Sequence, residues 1–133
     1  MSQVTPRVGI VLVSHSARLA EGAADLAGQV SGGTVRVLAA GGTEDGALGT
    51  SLEKVSQAVA GADAGAGVLV LPDLGSAVLV VRAMLEDGPG SRVVLADAPF
   101  VEGAVAATVT AAAGADLKTV AKAAEEAWHA RKL

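Results

Sequence analysis

The sequence predicts an α/β domain: a doubly wound, mainly parallel four-stranded sheet with helices on both faces. Three observations predict it. Short runs rich in Val, Ile and Leu alternate with segments whose apolar residues recur at helical spacing. Such alternation specifies parallel strands joined by right-handed crossover helices. The first run, Val8 to Val13, is apolar with only Gly9 interposed, as a strand buried on both faces must be. Turn signals at Gly32-Gly33, Gly41-Gly42 and Gly88-Pro89-Gly90 punctuate the joins.

Strands are expected, in chain order, at Val8 to Val13, Thr34 to Leu38, Gly67 to Leu71 and Arg92 to Leu95. The helix after the first strand aligns Leu19, Ala23, Leu26 and Val30 on one face, and the next aligns Leu52, Val55 and Val59. Ser76 to Leu85 is apolar nearly all round, with Val78, Leu79, Val80, Val81, Met84 and Leu85. A helix of that kind is buried on more than one side, here by the sheet and by a second subunit. Val101 to Ala113 is helical and ended by Gly114. Leu117 to Trp128 then places Leu117, Val120, Ala121, Ala124 and Trp128 on a common face.

Composition narrows the setting. The chain of 133 residues reads as a single domain, 1–133, long enough for a hydrophobic core. It has no cysteine, which removes disulfides and thiolate metal sites. A net charge of −4 argues against nucleic acid and anionic membranes as partners, since both need basic patches. The apolar stretches are broken by Pro72-Asp73 and by Asp97, Pro99 and Glu102, so none gives the ~20 unbroken residues of a membrane span. Met1 to Arg7 lacks the pattern of a secretory signal, and a cytoplasmic protein is expected.

The chemistry is expected at the carboxyl edge of the sheet, where open α/β sheets bind their ligands. His15 stands there, between the first strand and the first helix. Histidine at such a place serves as base, metal ligand or nucleophile. If the strand order is flavodoxin-like, strands one and three are neighbours at the switch point, and Asp73 faces His15. A carboxylate on one ring nitrogen fixes the tautomer and leaves a lone pair on the other. The helix starts after His15 and Asp73 offer free N–H groups suited to a phosphoryl group. Taken singly, Asp73 or Ser76 also reads as a cap of the third helix. His129, in the last turn, reads as an exposed side chain compatible with the helix dipole. The loop from Gly41 to Ser51 lacks the lysine of a Walker A motif, and neither HExxH nor a GxSxG elbow is present.

The stretch Gly9-Ile10-Val11-Leu12-Val13-Ser14-His15-Ser16-Ala17-Arg18-Leu19-Ala20-Glu21-Gly22 resembles the start of the phosphotransferase subunit of the bacterial phosphoenolpyruvate-dependent dihydroxyacetone kinase. Gly41-Gly42-Thr43, Gly49-Thr50-Ser51, Asp73-Leu74-Gly75-Ser76 and Ala98-Pro99-Phe100-Val101-Glu102-Gly103-Ala104 continue the resemblance in order along the chain. That family is similar in turn to the EIIA component of mannose-type sugar transporters. The resemblance implies a homodimer whose histidine takes a phosphoryl group from HPr and passes it to ADP on a separate kinase subunit. Dihydroxyacetone on a further subunit receives it. His15 matches the phosphorylated histidine and Asp73 its carboxylate partner, while main-chain amides near Ser16, Gly75 and Ser76 are expected to cradle the phosphate. No bound cofactor or metal is expected, the phosphoryl group coming from phosphoenolpyruvate via HPr. Larger relatives carry fused HPr-like and enzyme I-like domains, so a chain ending at its terminal helix is expected to use a free donor.

Other readings use the same residues. A mannose-type transporter component would employ His15 with a different acceptor, although Asp-Leu-Gly-Ser and Ala-Pro-Phe-Val-Glu-Gly favour the kinase subunit. A small tetrapyrrole chelatase would bring a second histidine to a metal, a role for which His129 is poorly placed. A non-catalytic interaction domain is opposed only by the joint placement of His15 and Asp73.

Overall fold

The computed structural model describes residues 5–86 and 92–133. The turn expected at Gly88-Pro89-Gly90 and the first four residues of the Met1 to Arg7 segment lie outside them. Strands β1 (Gly9–Ser14), β2 (Val37–Gly41), β3 (Val68–Pro72) and β4 (Val93–Leu95) form one sheet in the order β2-β1-β3-β4. All three pairings are parallel. Helices α1 (Ala17–Val30), α2 (Leu52–Ala62), α3 (Gly75–Glu86), α4 (Phe100–Ala112) and α5 (Leu117–Glu126) connect and cover it, and a 3₁₀ turn (Ala127–His129) ends α5. The expected fold class and the adjacency of strands one and three are both present.

Alternation along the central strands sorts the core into two layers. Ile10 and Leu12 of β1 with Leu69 and Leu71 of β3 meet alanines of α1 and α4 and the Leu117–Val120 face of α5. Val11, Val13, Val68 and Val70 face the other way, against Val55 and Val59 of α2 and Val81 and Met84 of α3. These central-strand residues are fully buried, each worth about 1.5–3 kcal/mol over an exposed position.

Two expectations shift. β2 begins at Val37 rather than Thr34 and runs on through Ala39-Ala40-Gly41, because its register pairs Ile10 with Val37 and Ser14 with Gly41. Alanine and glycine are poor strand formers, and pairing with β1 overrides that local preference. In α1 the buried face is Ala20, Ala23 and Ala27, while Leu19, Leu26 and Val30 are 46%, 48% and 49% exposed. The small side chains let α1 approach the alanine face of α4, which turns the larger ones to the rim. Similarly, α2 buries Val55 and Val59 but leaves Leu52 exposed, and α3 buries Ala77, Val81 and Met84 while Leu79 is 67% exposed. α5 buries its expected face up to Ala124, and Trp128 stands exposed beyond it.

One close approach fixes the loop that carries His15. A Cβ on Gly41 would lie 2.6 Å from the carbonyl oxygen of Ser16 and 2.7 Å from Cα of Ala17. Gly41→Ala is therefore expected to destabilise by about 1–3 kcal/mol and to displace the start of α1. Chemical denaturation, together with the His15 ring signals in NMR, would check both effects. Unchanged ring signals would show that the loop is held elsewhere.

Candidate active site

β1 ends on Ser14, a fully buried hydroxyl at the close of an apolar strand, and a polar group there must find a partner. It finds Asp73, which follows β3: Ser14 Oγ donates to Asp73 Oδ2 at 2.8 Å. The His15 amide donates to the same oxygen at 3.1 Å. His15 Nδ1 lies 3.0 Å from Asp73 Oδ1, which also accepts the Leu74 amide at 2.7 Å. Four donors thus converge on one carboxylate whose side chain is 8% exposed. Burial alone would raise the pKa of Asp73. The bonds from the Ser14 hydroxyl, the His15 amide and the imidazole outweigh it and hold the carboxyl below its ordinary value.

An ionised carboxylate can only accept, so the ring nitrogen facing it carries the proton. In the neutral ring Nε2 then holds the lone pair. That nitrogen faces the first turn of α3, against the Ser76 hydroxyl, which donates to it. The imidazole is 24% exposed, open on the side of Nε2. His15 is fixed from below as well: its carbonyl accepts the Gly49 amide at 3.0 Å, and the Gly42 amide bonds the Ser14 carbonyl at 3.1 Å. The loop between β2 and α2 therefore packs on the backbone of the histidine.

The sequence-predicted residues are brought together unequally. His15, Asp73 and Ser76 form one hydrogen-bonded chain, and Gly75 sits beside it at the head of α3. Among the described residues the Gly75 and Ser76 amides make no hydrogen bond, as the first turn of a helix leaves them. The Ser16 amide differs: it donates to Ser14 Oγ at 3.0 Å, while the Ser16 side chain caps α1 by accepting from Leu19. At the start of α1 it is Ala17 and Arg18 whose amides make no hydrogen bond among the described residues. Ser76 does not cap α3, being its second residue. His129 is exposed in the 3₁₀ turn, and among the described residues no three His, Asp or Glu side chains are grouped to hold a metal ion.

The model of a family described as PTS system fructose IIA component, the mannose-type EIIA family, matches residues 9–121. The chain belongs to this family. Within it, the chain is similar to DhaM, the phosphoryl donor subunit of PEP-dependent dihydroxyacetone kinase. The DhaM of Pantoea ananatis is 41% identical over 131 residues, and that of Escherichia coli K12 is 39% identical over 131. Each alignment takes in 94% of this chain but 28% of the relative, so the chain spans little more than a quarter of those proteins. The DhaM phosphotransferase subunit of Lactococcus lactis subsp. lactis, from a PTS-dependent dihydroxyacetone kinase, is 32% identical, covering 84% of this chain and 89% of its own length. A crystal structure of a protein of unknown function superposes with a TM-score of 0.82 at 32% identity, covering 91% of this chain and 95% of that one. A sigma-54 interaction domain protein from Enterococcus faecalis shares the fold, with a TM-score of 0.71 at 18% identity over 93% of this chain and 92% of its own.

Sequence reasoning about this mannose-type EIIA domain missed Ser14 as a partner of Asp73. The signal was present, since Ser14 is the one hydroxyl at the end of an otherwise apolar strand. It also assigned Ser76 through its amide, whereas the hydroxyl is what meets the ring.

Proposed function

We propose that the chain is a phosphoryl carrier: His15 accepts a phosphoryl group on Nε2 from HPr and passes it to ADP on the ADP-binding subunit of a dihydroxyacetone kinase. The observation that carries this reading is the contact of Nδ1 with Asp73 Oδ1 at 3.0 Å, which commits the other nitrogen to nucleophilic work. The names of the DhaM relatives support a phosphoryl donor role in a phosphoenolpyruvate-dependent dihydroxyacetone kinase, while HPr and ADP enter through the family resemblance. In this reading the chain binds no cofactor of its own and works in the cytoplasm as a homodimer. The exposed Leu79 of α3 offers apolar surface for a second copy.

The transfer balances simply. Nε2 attacks phosphorus, the N–P bond forms, and the bond from phosphorus to the donor breaks with its electron pair leaving on the donor. The ring becomes cationic while Nδ1 keeps its proton, and Asp73 stabilises that charge. Ser76 Oγ–H turns from Nε2 to a phosphoryl oxygen as the donor arrives, which frees the lone pair for attack, and the unpaired Gly75 and Ser76 amides face the incoming anion. Catalysis is positioning and electrostatics, because phosphoryl transfer leaves little else for the protein to do.

Labelled phosphoenolpyruvate with enzyme I and HPr should load one phosphoryl group per chain. A phosphoramidate weakens when its ring nitrogen is protonated, so the label should be lost in acid and survive in base. Phosphoserine would survive acid, and an aspartyl phosphate would hydrolyse in base. The ADP-loaded kinase subunit should discharge the label, and ATP alone should not load it. An acid-stable label would overturn the reading.

A further inference from the structure

We infer that Ser14 is a positioning residue for the transfer: its buried hydroxyl turns the Asp73 carboxylate so that Oδ1 is the oxygen presented to the His15 ring. The inference rests on the phosphoryl-carrier reading and adds to it a residue that touches neither the donor nor phosphorus. Ser14 closes β1 and is fully buried, while the rest of that strand is apolar. A hydroxyl there is costly unless its proton and its lone pairs are used. Both are used, and in one direction only. The Ser16 amide can only donate, so Ser14 Oγ accepts from it at 3.0 Å. The single hydroxyl proton is left for Asp73 Oδ2 at 2.8 Å, which as a carboxylate oxygen can only accept.

This pair of bonds brackets the histidine. One joins the residues on either side of His15, and the other crosses from the end of β1 to the residue after β3. The carboxylate itself has two donors on each oxygen. Oδ2 takes the Ser14 hydroxyl and the His15 amide, and Oδ1 takes the Leu74 amide and the ring. Without the hydroxyl, Oδ2 keeps only the His15 amide at 3.1 Å, the longest of the four. The carboxylate is then free to turn about its Cβ–Cγ bond, a torsion with broad minima. The Ser16 amide loses its acceptor at the same time, which loosens the turn that carries the ring.

Electrostatics points the same way. Burial would raise the Asp73 pKa, and the Ser14 hydroxyl is the strongest of the bonds that oppose it. Two consequences separate this role from a merely structural one. Ser14 is buried and cannot touch a phosphoryl donor, so its loss falls on kcat and not on KM. It acts through Asp73, so it has little to add once that carboxylate is gone.

The test is Ser14→Ala in the full chain, with phosphorylated HPr as donor and the His15 ring nitrogens read by nitrogen NMR. Uptake should show kcat reduced about tenfold and KM within about twofold of the unaltered chain. The fraction of neutral ring protonated on Nδ1 should fall in the same variant. In an Asp73→Ala background, Ser14→Ala should change kcat by less than about twofold. Asp116→Ala removes the cap of α5, where Asp116 accepts the Thr119 amide, and so controls for lost stability alone. It should leave kcat and the ring tautomer as they were. Should Ser14→Ala not fold, Ser14→Cys keeps a weaker donor on a similar side chain and should move both readings the same way. An unaltered tautomer or kcat in the Ser14 variant, a full additive loss beside Asp73→Ala, or an equal loss in Asp116→Ala would overturn the inference and leave the carrier reading intact. No acid-labile label on the unaltered chain would overturn both.

Discussion

His15→Ala takes up no phosphoryl group: labelling from phosphoenolpyruvate through enzyme I and HPr falls by about 10³-fold or more. The loss is chemical rather than structural. The backbone of residue 15 keeps its bonds, the amide to Asp73 Oδ2 and the carbonyl to the Gly49 amide. Asp73 keeps the Ser14 hydroxyl and the Leu74 amide. Stability should change by only about 1 kcal/mol, readable as a small shift in thermal midpoint. His15→Asn sharpens the comparison, because its side-chain amide can still donate towards Asp73 yet offers no ring nitrogen. Ser14 and Ser16 cannot take over, since Ser14 is fully buried and Ser16 is occupied in capping α1, and a phosphoryl group taken by the exposed Ser76 hydroxyl would be told apart by its stability in acid. Label persisting in both variants would move the site away from His15.

What the sequence made legible follows from how local each signal is. The β1 run and the histidine after it were readable because a strand buried on both faces needs an unbroken apolar stretch. The pairing of His15 with Asp73 was readable one step further, through the order β2-β1-β3, which brings the ends of β1 and β3 side by side. The burial of α1 was not. Leucine outweighs alanine in a periodicity count, but close packing against α4 rewards the smaller side chain, so Ala20 and Ala27 face inward. The far end of β2 was hidden by Ala39, Ala40 and Gly41, which become strand only through their neighbour.

The site divides in the same way. Residue types at strand ends were legible, while hydrogen-bond directions were not. Whether the Ser16 amide is open depends on the rotamer of Ser14, and the answer is that Ser14 Oγ occupies it. Trp128 shows the limit most plainly. Its helical spacing placed it on the core face of α5, but the last turn tightens to 3₁₀ and sets the indole beside the β4–α4 loop, where Asp97 accepts its N–H.

Asp73→Asn keeps the fold and slows phosphoryl uptake by about 10²–10⁴-fold. The carboxylate accepts from Ser14, the His15 amide, the imidazole and Leu74, and an amide side chain cannot replace both oxygens. With its NH₂ towards the ring it drives the proton from Nδ1 to Nε2, and the nucleophilic lone pair is gone. With its NH₂ towards the His15 amide, two donors collide. Either way the cation formed on transfer loses its counter-charge. The same residue ties stability to pH. Burial would raise the Asp73 pKa, but the bonds from the Ser14 hydroxyl, the His15 amide and the imidazole lower it overall, so the folded state binds its proton less readily than the unfolded chain. The stabilisation is complete above the ordinary carboxylate range and is lost as pH falls through the depressed folded value. The gap in urea midpoint between wild type and Asp73→Asn should therefore be full at pH 7 and close below about pH 4. A gap that stays constant with pH would mean that Asp73 is not held ionised by these bonds. The uptake experiment decides the catalytic half independently, since a rate within about twofold of wild type would leave the tautomer of His15 to some other group.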